Sequence, residues 1–509
     1  PMRNATNVTA LLSAPLLAGS QLGPYGSYVA LCALVPWLWA VRETSLARTL
    51  VLSAAVGISY GCIWAAWIPA TLQNLGAPAL AAFIGLAMAA AWVKVPLFVF
   101  TGVVIHASRT TSPLARIILP SLAFSFGEWV FGSLSGGIPV ALLGHSQINA
   151  LGVAQLAVVG GVPILSGWIA AINCAISQWL QGSAQSARAS IALFTAWLVT
   201  MFFAMSVASM FRPDVDFEDP ISLLLVQPDL PRGERWVEGM QHHNLNVVAE
   251  YTNRALKNQA VRPNAVVWPE NMLTTALSPN SKQAAELQKW VDLWNTDLIT
   301  GMVRPAVGTA EGLYRSSVIR VEPGRGIVDA IDKERAVPVV ESSRTIVSPS
   351  TAERLFGAAA RWPKVEEVTS SRPLRGNFEL TPALCFEVLF ASLVDKRRSK
   401  RARFILNLSD EGWMSSKALS HQLANIAAFR AIEQRLTLVR VAHGGVSAVT
   451  NPFGERTLEL RTDEYAHEFV SIPLSALPST SEKWGIASLP VGTGLIVYSL
   501  LGYSNRLRL

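Results

Sequence analysis

Charge is what the first 211 residues of this 509-residue chain lack. They carry only Arg3, Arg42, Glu43, Arg48, Lys94, Arg109, Arg116, Glu128 and Arg188, so 35 of the 42 basic and 33 of the 35 acidic residues fall in 212–509. Soluble domains are about one quarter charged, which excludes that class for the N-terminal part. Cysteine is scarce too. Four in the whole chain rule out a disulfide-stapled scaffold, and the lack of CxxC or Cys/His clusters argues against a structural zinc site. The 35 glycines follow no triplet period, and 51% hydrophobic residues are too many for intrinsic disorder. The net charge of +7 does not signal nucleic acid. From 212 onward the charges nearly balance, and the excess lies beside apolar runs, where basic residues encode orientation.

Present instead are long apolar runs, expected as transmembrane helices at 7–22, 26–41, 47–70, 78–105, 114–134, 150–180, 190–211 and 486–503, because about 20 mostly apolar residues cross the hydrocarbon as a helix. The first two are interrupted by Pro15 and Pro36. Lys and Arg recur in alternate connections, at Arg42 and Arg48, Arg109 and Arg116, Arg188, and finally Arg506 and Arg508, and are missing from 21–25, 71–77 and 135–149. The positive-inside rule then puts both ends in the cytoplasm and 212–485 outside it. A cleaved signal peptide is the competing reading of the first run, but a small-residue cleavage site is not evident. The expected organisation is a membrane domain of about seven helices over 1–211, an extracytoplasmic domain over 212–485, and a last span with a cytoplasmic tail over 486–509. Lys94 and Glu128 interrupt apolar runs and are expected to face the bundle interior, water or a partner, as buried polar groups, as snorkelling side chains or in a functional role.

From 221 the pattern becomes short β-branched or apolar runs alternating with helix-like stretches at 238–258, 280–295 and 417–434. This predicts a layered α/β domain. The Ser-, Arg- and Pro-rich stretch 342–377 reads as a long loop. Cys32, Cys62 and Cys174 lie in expected spans, leaving Cys385 as the only cysteine of the outer domain. Three strand ends carry reactive side chains: Glu270 in VVWPEN, Lys333 in AIDKERAVPVVE and Cys385 in ALCFEVLF. They supply a carboxylate base, a cation for an oxyanion and a nucleophile, and strand C-terminal ends gather at one edge of an α/β sheet. Residue types alone do not single out this trio, since any large domain holds all three.

Order and spacing do more. WPE at Glu270, Lys333 followed by Val337, Pro338 and Glu341, and Cys385-Phe386-Glu387 occur with GEW at Glu128, GHSQI at Ser146, QPDLPRGERW at Trp236 and the downstream run HQLANIAAFRAIEQRLTLVRVAHGGVSAVTNPFGE. Together they resemble the apolipoprotein N-acyltransferase family, the membrane-bound form of the nitrilase superfamily, over almost the whole chain. The resemblance implies a multi-span α-helical membrane domain joined to an αββα sandwich. It implies Cys385 as nucleophile, Glu270 as general base, Lys333 as oxyanion stabiliser and Glu341 as a second orienting carboxylate, with Glu387, Phe386 and Trp236 in supporting or substrate-binding places. The implied reaction moves an acyl chain from a membrane phospholipid to the cysteine as a thioester, then to the amine of a lipoprotein or other exported protein. It uses no metal, no soluble cofactor and no nucleic acid, and runs on the periplasmic side of a bacterial inner membrane.

The surroundings of that core depart from the family. Val339, Val340, Glu341 and Ser342 replace Phe-Gly-Glu-Tyr, Phe386 replaces a tyrosine, and Leu408, Ser409, Asp410, Glu411, Gly412, Trp413 and Met414 replace an Asn-Asp-x-Trp-Phe segment. These departures leave open a conjugal-transfer (TraB-type) paralogue acting on a pilus or transfer component, and a membrane-tethered nitrilase-type amidase. A non-enzymatic assembly protein has no physical need for the intact trio. Four features read more blandly. His443-Gly444-Gly445 reads as a tight turn rather than an esterase oxyanion loop. His421 reads as a capping or surface histidine. Lys396, Arg397, Arg398, Lys400 and Arg401 read as a solvated helix end, with headgroup contact as the alternative. Trp236, Leu355, Phe356 and Trp362 read as core or as an acyl-chain lid.

Overall fold

The long apolar runs of the N-terminal part fold largely as helices. A computed structural model describes residues 2–473 apart from 134–136, 183, 211–219, 231–238, 258, 275–280, 306–312, 339–340, 342–363, 367–371, 415 and 463. Three of its helices are long and apolar enough to cross a membrane, α1 (Leu46–Trp64), α2 (Ala79–Ser108) and α3 (Pro113–Ser133), and the chain is a membrane protein. Ser45 caps α1 by accepting from the Arg48 amide at 3.4 Å, and Pro113 opens α3, where a missing N–H costs nothing. The helices α4 (Val162–Trp179) and α5 (Ala184–Met210) follow.

Several expected spans are subdivided. Residues 7–22 and 26–41 become Met2–Leu11 with Ser13–Ser20, and Gly26–Ala30 with Val35–Val41. Each later piece has Pro15 or Pro36 in its first turn, where the missing N–H breaks no helical hydrogen bond. The run 150–180 divides into Leu151–Ala154, Ala157–Gly160 and α4, with Gly161 at φ 76° ahead of Pro163. The run 486–503 lies outside the described residues.

Inside the bundle Trp37, Phe98 and Phe124 pack edge to face at 5.0 and 6.0 Å. Beside them, side chains from three helices hold one loop. Lys94 Nζ donates to the carbonyls of Val140 and Ala141 at 2.8 and 2.9 Å, Tyr60 Oη donates to Ala141 O at 2.9 Å, and Glu128 Oε1 accepts from the Leu143 amide at 2.8 Å. Ala141 itself has φ 48°, a conformation that needs such support. Of the sequence readings of Lys94 and Glu128, the buried polar group is the one these bonds describe, and here it braces backbone.

The C-terminal part alternates strand and helix as expected. Its strands are β1 (Ile221–Gln227), β2 (Ala265–Val267), β3 (Asp297–Pro305), β4 (Leu313–Glu322), β5 (Gly326–Asp332), β6 (Lys364–Val365), β7 (Glu379–Leu384), β8 (Ala402–Asp410), β9 (Thr437–His443), β10 (Ala448–Thr450), β11 (Arg456–Glu459) and β12 (Ala466–Ile472). One sheet runs β12-β1-β2-β3-β4-β5, with β6 beside β4, and the other runs β11-β10-β9-β8-β7. β1, β2 and β3 are parallel, and two antiparallel steps bring β5 back to the same direction. β7, β8 and β9 are parallel in the second sheet. Leu223, Leu225, Val267, Ile299 and Ile331 of the first sheet bury against Leu384, Phe404, Leu406, Val439 and Val441 of the second.

The helices α6 (Met240–Lys257) and α7 (Lys282–Trp294) cover the outer face of the first sheet through Leu245, Val248, Leu287 and Val291. The helices α8 (Ala391–Arg397) and α9 (Lys417–Gln434) cover the second through Val394, Ala427 and Ala431. The result is the αββα sandwich expected from the sequence. Strands covered on both faces need no polar alternation, which accounts for runs such as ISLLLV.

The helix α9 is buried on nearly every side. Ala427 and Ala431 face the second sheet, while Ala428, Phe429 and Ile432 enter the bundle core with Leu143, Ala157 and Val162. A second seam joins Leu389, Phe390, Met414 and Leu423 to Val140, with Trp64, Trp67, Val93, Ile138, Phe386 and Trp413 around it. These seams put the C-terminal strand edge of the second sheet against the bundle.

Candidate active site

That edge carries the reactive residues. Glu270 lies just beyond β2, Lys333 directly after β5 and Cys385 directly after β7, and the facing sheets bring all three together. Lys333, fully buried, donates from Nζ to Glu270 Oε1 at 2.9 Å and to Glu341 Oε1 at 3.0 Å. The Glu341 carboxylate also accepts from the Val337 amide at 2.8 Å, so the tight turn at Val337-Pro338 aims it back at the lysine. Lys333 is fixed at its own amide, which donates to Ser316 O at 2.8 Å, and the Ser316 hydroxyl lies 3.3 Å from Glu270 Oε1. Gly301 runs beneath Glu270 so closely that a Cβ there would meet Glu270 Cα at 2.5 Å.

Cys385 follows the end of its strand, as read from the sequence, and begins a short 3-10 turn, Cys385–Leu389, that leads into α8. Its φ is 45°, a left-handed conformation rare for a residue with a Cβ. Glu387 holds the turn. One oxygen accepts from the Leu384 amide at 2.9 Å, and the other from the amides of Glu334 and Arg335 at 2.6 and 3.2 Å. Arg397 grips both oxygens at 2.6 and 3.0 Å. Glu387 thus ties the residues after Lys333 to the residues around Cys385.

Arg397 corrects the sequence reading of the basic run as a solvated helix end, because its side chain is wholly buried. It shares one face of α8 with Leu393 and Val394, a spacing of three and four residues that marks the inner side of a helix. The run's other members lie where α8 returns from the seam toward the start of β8, so they sit at the end of the sheet opposite the bundle. His421 is half-exposed, 3.9 Å from Glu459, in keeping with a surface histidine. Phe386 packs on Phe390 with ring centroids 5.3 Å apart, within the seam. Trp236, Leu355, Phe356 and Trp362 lie outside the described residues, as does most of the 342–377 stretch.

The sequence reading missed the contribution of the end of β8. The Asp410 amide donates to Glu270 Oε2 at 3.1 Å, its carbonyl lies 4.0 Å from the Cys385 sulfur, and the Ser409 hydroxyl lies 3.4 Å from that sulfur. Backbone groups leave no mark in residue identity. Only the parallel pairing of Leu384 with Leu408 predicts them.

The electrostatics follow from burial. Loss of water pushes the Glu270 carboxyl up to about 7, opposed by Lys333 and aided by Glu341 and Asp410. Burial also pushes the Cys385 thiol up to about 12, with the Glu270 charge adding to it and Lys333 opposing. Burial pulls Lys333 down, but the charges of Glu270 and Glu341 outweigh it and leave the ammonium well above its ordinary value. The site therefore holds a permanent cation, a carboxylate poised near neutrality and a thiol that ionises only when its proton has somewhere to go.

A two-sheet sandwich with these strand ends on a helical bundle defines a membrane protein with an αββα domain. Among solved structures it is similar to a carbon-nitrogen hydrolase from Helicobacter pylori G27 (16% identity, TM-score 0.39, covering 50% of this chain and 89% of the other) and an amidase from Nesterenkonia sp. (14%, 0.36, 50% and 90%). Residues 14–175 match the apolipoprotein N-acyltransferase N-terminal domain. Over nearly its full length the chain is similar to the apolipoprotein N-acyltransferases of Rhizobium meliloti (strain 1021), 26% identical over 87% of this chain and 85% of the relative, and of Brucella melitensis, 24% identical over 94% and 92%.

Proposed function

We propose that this protein is an N-acyltransferase that carries an acyl chain from a membrane phospholipid on Cys385 and delivers it to an amine of a lipoprotein or another exported protein. The observation that carries the reading is the adjacency of Cys385 to both the Lys333–Glu270–Glu341 cluster and the apolar seam at Phe386. A hydrolase of soluble amides has no need of such a seam, whereas a lipid ester must reach the sulfur from the bilayer. We place residues 212–485 in the periplasm of a bacterial inner membrane, with both termini in the cytoplasm, from the distribution of Lys and Arg.

In this mechanism Glu270 takes the thiol proton as the sulfur attacks the ester carbonyl. Lys333 stabilises the tetrahedral oxyanion as a compact cation. Collapse breaks the C–O bond, and the departing lysophospholipid alkoxide takes the proton from Glu270, leaving a thioester. The acceptor amine then attacks the thioester and gives its proton to Glu270. The second tetrahedral intermediate expels the thiolate, which is reprotonated as the amide leaves. Glu341 orients Lys333, and Glu387 with Arg397 positions the Cys385 turn.

Incubation of the full chain with phospholipid alone is expected to leave a hydroxylamine-sensitive mass increase on Cys385, absent from Cys385→Ala. Added amine acceptor should convert it to amide. Because Glu270 must be ionised to accept the proton, acylation should fall about tenfold per pH unit below about 7. Acyl transfer by Cys385→Ala would overturn the reading, and an adduct lost only to water would make the protein a membrane-tethered amidase.

A further inference from the structure

His443, at the end of β9, is 2% exposed, and its ring lies between two acceptors. Nδ1 is 3.2 Å from Asp410 Oδ1, and Nε2 is 3.0 Å from the carbonyl oxygen of Leu230, beyond the end of β1. A carbonyl and a carboxylate only accept. Both contacts are hydrogen bonds only if the pair holds one proton more than a neutral imidazole beside an ionised aspartate. Either the ring is an imidazolium next to the Asp410 carboxylate, or Asp410 is an acid that donates to Nδ1 while Nε2–H donates to Leu230. The net charge of the pair is zero in both arrangements. Room for the ring comes from Gly412, where a Cβ would stand 2.7 Å from the ring atoms Cε1 and Nδ1.

The pair sits behind the catalytic groups. Asp410 contributes its amide to Glu270 and its carbonyl to the neighbourhood of Cys385, while His443 ties the same residue to the first sheet through Leu230. The charged groups acting on Glu270 are Lys333 and Glu341 from the first-sheet side and Asp410 from the second. Asp410 faces His443 directly, and the neighbouring buried Glu411 and Arg440 pair with each other.

We propose that His443 is a positioning residue, forming with Asp410 a buried charge-neutral pair that spares Glu270 an unbalanced carboxylate neighbour and holds the Asp410 peptide against base and nucleophile. The inference rests on the acyl-transfer reading only in taking Glu270 as the base for the Cys385 thiol.

The test is the rate of iodoacetamide alkylation at Cys385, followed by peptide mass in the full detergent-solubilised chain from about pH 5 to 9. No acyl donor is involved, so the measurement stands whether or not acyl transfer is found. Glu270→Gln identifies the acid limb that belongs to the base. In His443→Asn, and equally in His443→Gln, the ring that shares the pair's extra proton is gone and Asp410 is left as a carboxylate beside Glu270, so the acid limb should move up by about one pH unit. Adding Asp410→Asn removes the carboxylate and should return the limb to its wild-type position, even where melting is lowered. An acid limb that stays in place in His443→Asn, or that fails to return in the double variant, would overturn the proposal and leave His443 a purely structural residue.

Discussion

Bundle and sandwich each bury a lysine near a glutamate, with opposite results. Lys94 directs its ammonium at two neutral carbonyls, and Glu128 accepts from a backbone amide of the same loop. Lys333 directs its ammonium at two carboxylates. Neutral acceptors leave a lysine as an anchor for backbone, which is what a loop with Ala141 at φ 48° requires. Carboxylate acceptors make the lysine part of a shared electrostatic system in which the ionisation of Glu270 depends on its neighbours. A buried charge therefore reveals its purpose through its partners. The Arg397–Glu387 pair is a third case, a fully buried ion pair whose remaining lone pairs fasten backbone around Cys385.

The comparison can be broken at each pair, and the expected effects fall in order. Arg397→Met strands the Glu387 carboxylate in a dry site and should cost about 3–5 kcal/mol of stability, read as a lower melting temperature of the purified chain. Adding Glu387→Gln should recover part of that loss. A melting temperature within error of wild type would mean that Glu387 is held without its arginine. Lys333→Arg keeps the charge but replaces a compact ammonium with a planar fork. Acylation of Cys385 should slow by about a hundredfold or more, as for loss of an oxyanion donor, and a rate within a few-fold of wild type would remove Lys333 from the chemistry. Lys94→Met should have the smallest effect, about 1–3 kcal/mol for two carbonyls left without their donor. Iodoacetamide should still modify Cys385 at the wild-type rate, while acyl transfer from phospholipid falls because Ile138 and Val140 lose their support at the seam. Equal losses in both assays would place Lys94 in the catalytic system and end the distinction between the two lysines.

Much of this was legible along the chain. The helices Met240–Lys257, Lys282–Trp294 and Lys417–Gln434 occupy the stretches read as helical, and Glu270, Lys333 and Cys385 stand at strand ends as read. Hydropathy, helical period and strand alternation are local properties, carried by neighbours in sequence. The departures were local too. Pro15, Pro36 and Gly161 mark where apolar runs break, but an apolar run is long whether or not one helix spans it.

What the chain by itself determined was the division into bundle and sandwich and the placing of Glu270, Lys333 and Cys385 at strand ends, because composition, periodicity and motif order reside in the residues themselves. Only the tertiary structure decided that Arg397 is buried, that the Asp410 peptide touches Glu270, that His443 lies between Asp410 and Leu230, and that Lys94 braces a loop. Each of these pairs a polar group with a partner ten to more than two hundred residues away. Such a pairing exists only after two sheets face each other and their strand ends meet the bundle, and its strength comes from the removal of water that this packing brings about.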